Sequence, residues 1–382
     1  MRFIHLGDLH IGRTFDMHSL LDDQRFVLEQ VLDLAQQRKP DFVLIAGDIY
    51  DRSVPKEEAV ALYDEFITRL VLELGIPVYA ISGNHDSSRR LEGLGGLLKR
   101  TGYHMSGTLK NPLEQIQLMD EFGPVDLYFL PYKEMHGARA IYEITDTKET
   151  KATMERILAS AQGNPNRKIL MAHNYFGHNA SAMDLSDSER RISIGGEDII
   201  DTSVLDAFQY VALGHLHKPQ RVGRDEVRYA GSLLKYSTSE VDHRKVITWV
   251  EMDVLGSCQV ELIPVTFLRD LKKIQGSYHD FLHSDFVPQK NDFLALVLTD
   301  EERIDHAYVH LSSMYPNIIS LTYLNMEQAY ELKVDQEAIR KADLRKLFND
   351  FFKDKNHREM NDDEEVFMAD IFREVEADND TN

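Results

Sequence analysis

Arg2-Phe3-Ile4-His5-Leu6-Gly7-Asp8-Leu9-His10 sets an apolar run, fit for a buried strand, directly before a glycine, a carboxylate and an imidazole. The same arrangement recurs along the chain. Phe42–Ala46 runs into Gly47-Asp48, and residues 78–82 run into Gly83-Asn84-His85-Asp86. Residues 168–172 lead into His173, and residues 210–213 into Gly214-His215-Leu216-His217. Between the first two runs an amphipathic helix is expected, with Phe26, Val27, Gln30, Val31 and Leu34 on one face. Residues 57–73 repeat that pattern behind Pro55. Strand–helix–strand repetition predicts an α/β fold with parallel pairing at its centre. Residues 126–130 continue the strand series, and 227–229 and 245–251 read as later strands, expected to be antiparallel.

In all five segments the polar residues stand where a strand ends. Open α/β sheets gather ligands beyond the carboxyl ends of their strands, so segments remote in sequence can converge there. Asp8, His10, Asp48, Asn84, His173, His215 and His217 together have the number and chemistry to hold two divalent ions. Asp48 is the natural bridge. Asp8, His10 and one histidine of the last segment would complete one ion; Asn84, His173 and the other histidine would complete the second. Nitrogen and oxygen donors without thiolate suit Mn²⁺, Fe²⁺ or Zn²⁺ better than Ca²⁺ or a structural zinc. Such ions acidify water toward neutrality. His85 adjoins Asn84 and is the candidate catalytic acid, either protonating a departing alkoxide or stabilising charge on phosphate. Asp86 would orient His85 or cap the following helix. Taken singly, an Asp-x-His is more often a plain loop and a Gly-Asn-His-Asp a turn. Their repetition at strand ends is what argues for one site.

Composition narrows the class. A chain of 382 residues with 43% hydrophobic content can bury a large core and is expected to divide into more than one domain. The formal charge of −21 argues against a general nucleic-acid coater, although bound cations would reverse the sign locally. Residues 331–382 carry sixteen acidic and nine basic side chains, hence −7 of that total. One cysteine, Cys258, excludes an internal disulfide framework and fits a reducing compartment. No leader-like segment or membrane-length apolar run is evident, so a cytoplasmic protein with no membrane association is expected.

The pattern shifts after about Val265. The expected division is 1–265 for the metal-bearing domain, 266–332 for a small α/β cap that is a possible DNA binder, and 333–382 for a helical segment with a disordered end. The cap reads as two strands, 293–297 and Ile318–Tyr323, flanking a helix near 304–314. In the tail, Leu344, Leu347, Phe348, Phe351 and Phe352 form one apolar stripe, and Met368, Ile371 and Phe372 belong to another. Such faces need covering, either by packing on the chain's own cap or by a partner. Arg13, Arg52, Arg89 and Arg90 lie near motif ends and are candidates for phosphate contacts, with solvated surface arginines as the plainer alternative. The polar stretch 174–200 would loop over the site.

These motifs resemble the calcineurin-like metallophosphoesterases. Gly-Asp-Leu-His-Ile-Gly, Gly-Asp-Ile-Tyr-Asp-Arg and Tyr229-Ala-Gly-Ser-Leu-Leu-Lys-Tyr-Ser are similar, more narrowly, to the bacterial SbcD branch. The resemblance implies a sandwich of two mixed β-sheets flanked by helices. It implies a manganese-dependent DNA exonuclease and hairpin endonuclease with two Mn²⁺ ions. It also implies an SbcC-type coiled-coil ATPase as partner, docked on the tail, and a homodimer within a heterotetramer acting at the nucleoid. By the same resemblance Asp8, His10, Asp48 and His217 address one ion. Asp48, Asn84, His173 and His215 address the other, and His85 is the catalytic histidine outside the ligand set. Asp51 departs from the archaeal and eukaryotic relatives, which carry a second histidine there. A small-molecule phosphodiesterase is the rival reading, and a scaffold with a vestigial metal fold is a third.

Overall fold

Val-, Ile-, Leu- and Phe-rich runs bounded by glycine or polar turns become strands, and the apolar stripes between them become helices. The computed structural model describes residues 1–177, 199–283 and 285–325, with isolated positions beyond. The first strands are β1 (Arg2–Leu6), the short β2 (Thr14–Phe15) and β3 (His18–Ser19), β4 (Phe42–Ala46), β5 (Val78–Ile81) and β6 (Tyr103–Ser106). Next come β7 (Glu114–Asp120), β8 (Gly123–Leu130), β9 (Arg167–His173), β10 (Tyr210–Gly214), β11 (Gln220–Val222) and β12 (Arg224–Tyr229). β13 (Val246–Met252) and β14 (Cys258–Pro264) precede β15 (Leu271–Gly276), β16 (Phe293–Leu298) and β17 (Ile318–Tyr323).

Two six-stranded sheets result, ordered β14-β13-β1-β4-β5-β6 and β11-β12-β10-β9-β8-β7. Their centres are parallel, as the strand–helix alternation predicts; antiparallel strands close both edges of the second sheet and one edge of the first, whose other edge, β6, is parallel. One expectation is corrected. β13 is antiparallel to both neighbours as expected, whereas residues 227–229 belong to β12, which is antiparallel to β11 but parallel to β10. The three-residue β11 supplies the return stroke, and it is too short to show a period in sequence.

Phe3, Phe42, Leu127, Phe129, Met171, Tyr210 and Val250 fill the space between the sheets, with the Phe3 and Phe42 rings stacked at 5.0 Å. The first sheet's outer face is covered by α1 (Leu21–Arg38) and α2 (Glu57–Thr68). α1 buries Val27, Val31 and Leu34 as their spacing predicts, together with Leu28, Leu32 and Ala35. Each such aliphatic side chain contributes about 1.5–3 kcal/mol. Phe26 stays exposed and Gln30 donates its amide to the Thr266 carbonyl, so the buried face is rotated from the expected one. The second helix does not run uniformly to residue 73: a π-helical turn, Arg69–Glu73, ends it.

Strands β15, β16 and β17 form a separate parallel sheet over a core of Phe281, Leu294, Leu296, Leu298, Leu311 and Tyr315. Two strands were expected here; β15 is the third. Arg269 anchors this sheet to α1 by pairing with buried Asp23, and its guanidinium lies 4.5 Å from the Phe293 ring. Lys235 adds an ion pair to Asp270 at 2.8 Å. Residues 178–198 of the expected loop lie outside the described residues, as do Leu344, Leu347, Phe348, Phe351, Ile371 and Phe372. Phe352 and Met368 are half-buried, and the Arg358 guanidinium lies 5.1 Å from the Phe352 ring. Among the described residues no helix is long and apolar enough to cross a membrane.

At the end of the sandwich remote from the strand exits, Arg167 holds the two sheets together. It pairs with Asp120 and donates to the carbonyls of Gly123 and Asp253, each at 3.0 Å. Burial raises the Asp120 carboxyl, but Arg167 outweighs it and the group falls to about 2. A depressed carboxyl stabilises the fold above its unfolded value near pH 4 and stops doing so as pH falls through about 2. Asp120→Asn should therefore lower unfolding free energy by about 2 kcal/mol at pH 7 and by much less at pH 2. Urea unfolding at both pH values checks this; an equal loss at both would contradict the ionic origin.

Candidate metal centre

Five strand exits converge at one end of the two sheets. β1, β4 and β5 deliver Asp8 and His10, Asp48, and Asn84 with His85; β9 and β10 deliver His173, and His215 with His217. The exits are tight. Asp8, His10, Asp48 and His215 all have positive φ, at 52°, 43°, 49° and 107°. Each such residue stores about 1–3 kcal/mol of strain, which persists only where the surroundings enforce it. Here the Asp8 amide donates to the Gly47 carbonyl at 3.1 Å and the His10 amide to the Asp48 carbonyl at 2.9 Å. At Gly214 a Cβ would meet the Ala46 carbonyl oxygen at 1.8 Å. Gly214→Ala should accordingly cost upward of about 4 kcal/mol, measurable by chemical denaturation; a loss near 1 kcal/mol would show that this approach is not rigid.

The seven candidate side chains fall into two groups that share Asp48. His10 Nε2 lies 3.1 Å from His217 Nε2 and 3.6 Å from Asp48 Oδ2. His173 Nε2 lies 3.4 Å from the same Asp48 oxygen and 3.0 Å from Asn84 Oδ1, and His215 Nδ1 is 3.1 Å from that amide oxygen. Asp8 joins the first group, within 4.8 Å of His10 and Asp48, and its Oδ1 accepts from the His215 amide at 2.8 Å. His215 and His217 thus address different groups. The left-handed backbone at His215 takes the chain out of the extended geometry of β10.

These residues fit a pair of cations. His173 Nδ1 donates to the Ala46 carbonyl at 2.8 Å and His217 Nδ1 to the Glu240 carboxylate at 2.9 Å. Carbonyl and carboxylate oxygens only accept, so each ring, when neutral, turns an Nε2 lone pair inward, His173 toward Asn84 Oδ1 and Asp48 Oδ2 and His217 toward His10 Nε2. Asp8 Oδ2 is buried with no hydrogen-bond partner. Acceptors packed against acceptors, with one orphaned carboxylate oxygen, are what a positive ion relieves. Titration agrees in direction. Burial pushes the Asp8 carboxyl up to about 6. Burial disfavours charge on His173, but Asp48 overrides it and raises the ring to about 9. Asp48 is held well below the carboxylate range by His173, His10 and His85 despite its burial. Bound cations would favour the carboxylate at Asp8 and the neutral ring at His173.

His85 sits beside the first group, and one ligand-type atom each of His85, His10 and Asp51 lies within 4.8 Å of the others. Its Nδ1 donates to the Asp51 carbonyl at 3.0 Å, its amide donates to Asp48 Oδ1 at 2.8 Å, and its ring lies edge-on to His10 at 4.8 Å. Asp86 neither orients His85 nor caps a helix. Its carboxylate accepts from the amides of Ile49, Tyr50 and Gly83 at 3.1, 3.0 and 2.9 Å, tying two strand exits together. The Asp51 carboxylate pairs with Arg13 at 2.7 Å and lies 3.8 Å from His10 Nδ1. Of the candidate arginines, Arg13 and the exposed Arg52 both meet the Asp51 carboxylate, Arg52 at 3.6 Å, and Arg89 and Arg90 are exposed. Sequence reasoning assigns no role to several residues that stand behind the first group. Gln24 donates to the His10 carbonyl at 2.7 Å. Tyr236 packs edge-on against His10 and His217 at 5.5 and 5.9 Å, and Glu240 with Lys245 backs His217. Of these only Tyr236 has a sequence signal, the run from Tyr229, which carries resemblance but no chemistry.

Comparison with known proteins follows the same lines. Residues 1–219 match the sequence model of the Calcineurin-like phosphoesterase family. The D subunit of nuclease SbcCD from Staphylococcus epidermidis is 29% identical over 357 residues, which span 92% of this chain and 93% of that protein. Among solved structures, a dimetal phosphatase from Danio rerio overlays with a TM-score of 0.40 at 11% identity, covering 70% of this chain and 98% of its own. The anchor GAP50 of the Plasmodium inner membrane complex gives 0.39 at 11% identity, covering 69% and 84%. The family match takes in well over half of the 382 residues and every strand exit of the site. The chain belongs to the calcineurin-like phosphoesterase family.

Proposed function

We propose that the chain is the nuclease subunit of an SbcCD-type complex, hydrolysing DNA phosphodiesters as an exonuclease and as an endonuclease at hairpins and ends. The observation that carries phosphodiester hydrolysis is the division of seven ligand-type side chains into two groups about Asp48, with His85 alongside. DNA as substrate is supported by the full-length likeness to an SbcCD nuclease subunit, which runs beyond residue 219 through the three-stranded sheet.

Asp8, His10, Asp48 and His217 would hold one divalent ion, and Asp48, Asn84, His173 and His215 the other. The oxygen-and-imidazole set admits Mn²⁺, Fe²⁺ or Zn²⁺, and the likeness to the SbcD branch is what favours Mn²⁺. When bound, such a pair supplies an acidified water and charge neutralisation on the phosphate. The chain's own residues do the rest. The Asp51 carbonyl fixes the His85 proton at Nδ1, leaving Nε2 to carry a proton to the departing sugar oxygen. Arg13, Arg52, Arg89 and Arg90 would meet flanking phosphates, Arg13 by exchanging Asp51 for phosphate.

The proposed assembly is a homodimer bound to an SbcC-type coiled-coil ATPase through the apolar stripes of the tail. Next to α2 lies a cavity of about 420 Å³ lined by Val60, Tyr63, Ile67, Leu91 and Leu98, and Leu94 and Leu97 stand exposed on the same short helical stretch. Leu97→Glu should convert the dimer to a monomer in sedimentation velocity; an unchanged dimer would place the interface elsewhere. The function itself is tested with Mn²⁺ and end-labelled hairpin DNA, alone and with the ATPase. Cleavage supports it, and hydrolysis confined to mononucleotide esters would replace it with a small-molecule phosphodiesterase.

A further inference from the structure

An enclosed ion pair stands directly behind the first ligand group. Glu240 is 0% exposed and Lys245 is 2% exposed. Glu240 Oε1 accepts from His217 Nδ1 at 2.9 Å, and Oε2 accepts from Lys245 Nζ at 2.6 Å. The same ammonium donates to the His217 carbonyl and to Ser232 Oγ, each at 2.8 Å. The Ser232 amide closes the ring by donating to the His217 carbonyl at 3.1 Å. The network therefore grips both the imidazole and the backbone of one residue.

Stability alone is a poor reason for such a pair. Desolvating two charges is costly, and apolar replacements of similar volume often leave a protein as stable or more so. A carboxylate opposite an imidazole has specific consequences: it fixes the proton on the facing nitrogen, sets the ring angle and raises the basicity of the other nitrogen. Here the other nitrogen is His217 Nε2, 3.1 Å from His10 Nε2. We propose that Glu240, itself held by Lys245, is a positioning residue that locks the tautomer and ring angle of His217. One of the two ion positions thereby reaches full affinity. The proposal rests on the metal-centre reading above and assigns a role to the segment from Ser232 to Lys245.

The test is Mn²⁺ titration of the full chain by calorimetry and electron paramagnetic resonance, with thermal melting in parallel. Wild type should bind two ions. Glu240→Gln should weaken one of them about 10–100-fold and leave the other little changed. Glu240→Gln alone strands the Lys245 ammonium and could unfold the chain for that reason. The double variant Glu240→Gln/Lys245→Met removes both charges and should recover the melting temperature without recovering the weakened Mn²⁺ site. Wild-type affinity at both sites in either folded variant would overturn the proposal and leave Glu240 a purely structural residue. A wild-type chain binding fewer than two ions would overturn the metal-centre reading, and this proposal with it.

Discussion

His85→Ala should lower Mn²⁺-dependent DNA cleavage about 10²–10⁴-fold, the range for loss of a positioned general acid, while both ions still bind. The separation of these effects follows from the site. The hydrogen bond from His85 to Asp48 comes from its backbone amide, which alanine retains, and its ring Nδ1 donates to the Asp51 carbonyl. Single-turnover cleavage of labelled hairpin DNA measures the first effect, and Mn²⁺ titration of the same protein measures the second. Loss of an ion would make His85 a ligand. An unchanged rate would move the acid elsewhere, with Arg13 and Asp51 at the rim as the next groups to examine.

Asp48→Ala should reduce cleavage to background and abolish the stabilisation that Mn²⁺ confers. Asp48 Oδ2 lies between His10 and His173, and its Oδ1 holds the His85 amide. Removing one carboxylate thus unmakes both groups and releases the His85 amide. A ligand at 100 times its dissociation constant stabilises a fold by about 2.7 kcal/mol, so wild type should melt several degrees higher with Mn²⁺ than with chelator. The variant should show no such difference. If it gains as much as wild type, the bridge lies elsewhere.

Much of this arrangement is legible in the amino-acid order alone. Strand, glycine and ligand occur together in the sequence because a buried run must leave the sheet sharply to aim a polar side chain inward. What is not legible is what depends on pairing. The parallel course of β12 requires the three-residue β11, which has no measurable period. The exposure of Phe26 follows from how α1 rolls on its sheet, since an apolar stripe of helical spacing leaves that rotation free by a residue or two. Asp86 follows two ligand-motif residues and reads naturally as their partner. Its true partners, the amides of Ile49 and Tyr50, are visible only once β4 and β5 lie side by side. Glu240 and Lys245 are hidden for a related reason: an isolated acid and base near a strand look like surface charge until folding encloses them.

The central claim is that seven side chains from five strand exits make one centre for two ions sharing Asp48. Mn²⁺ binding to the intact wild-type chain, followed by electron paramagnetic resonance, tests it most directly. Two ions per chain with a spin-coupled spectrum are predicted; one ion, or two that are magnetically independent, would contradict it.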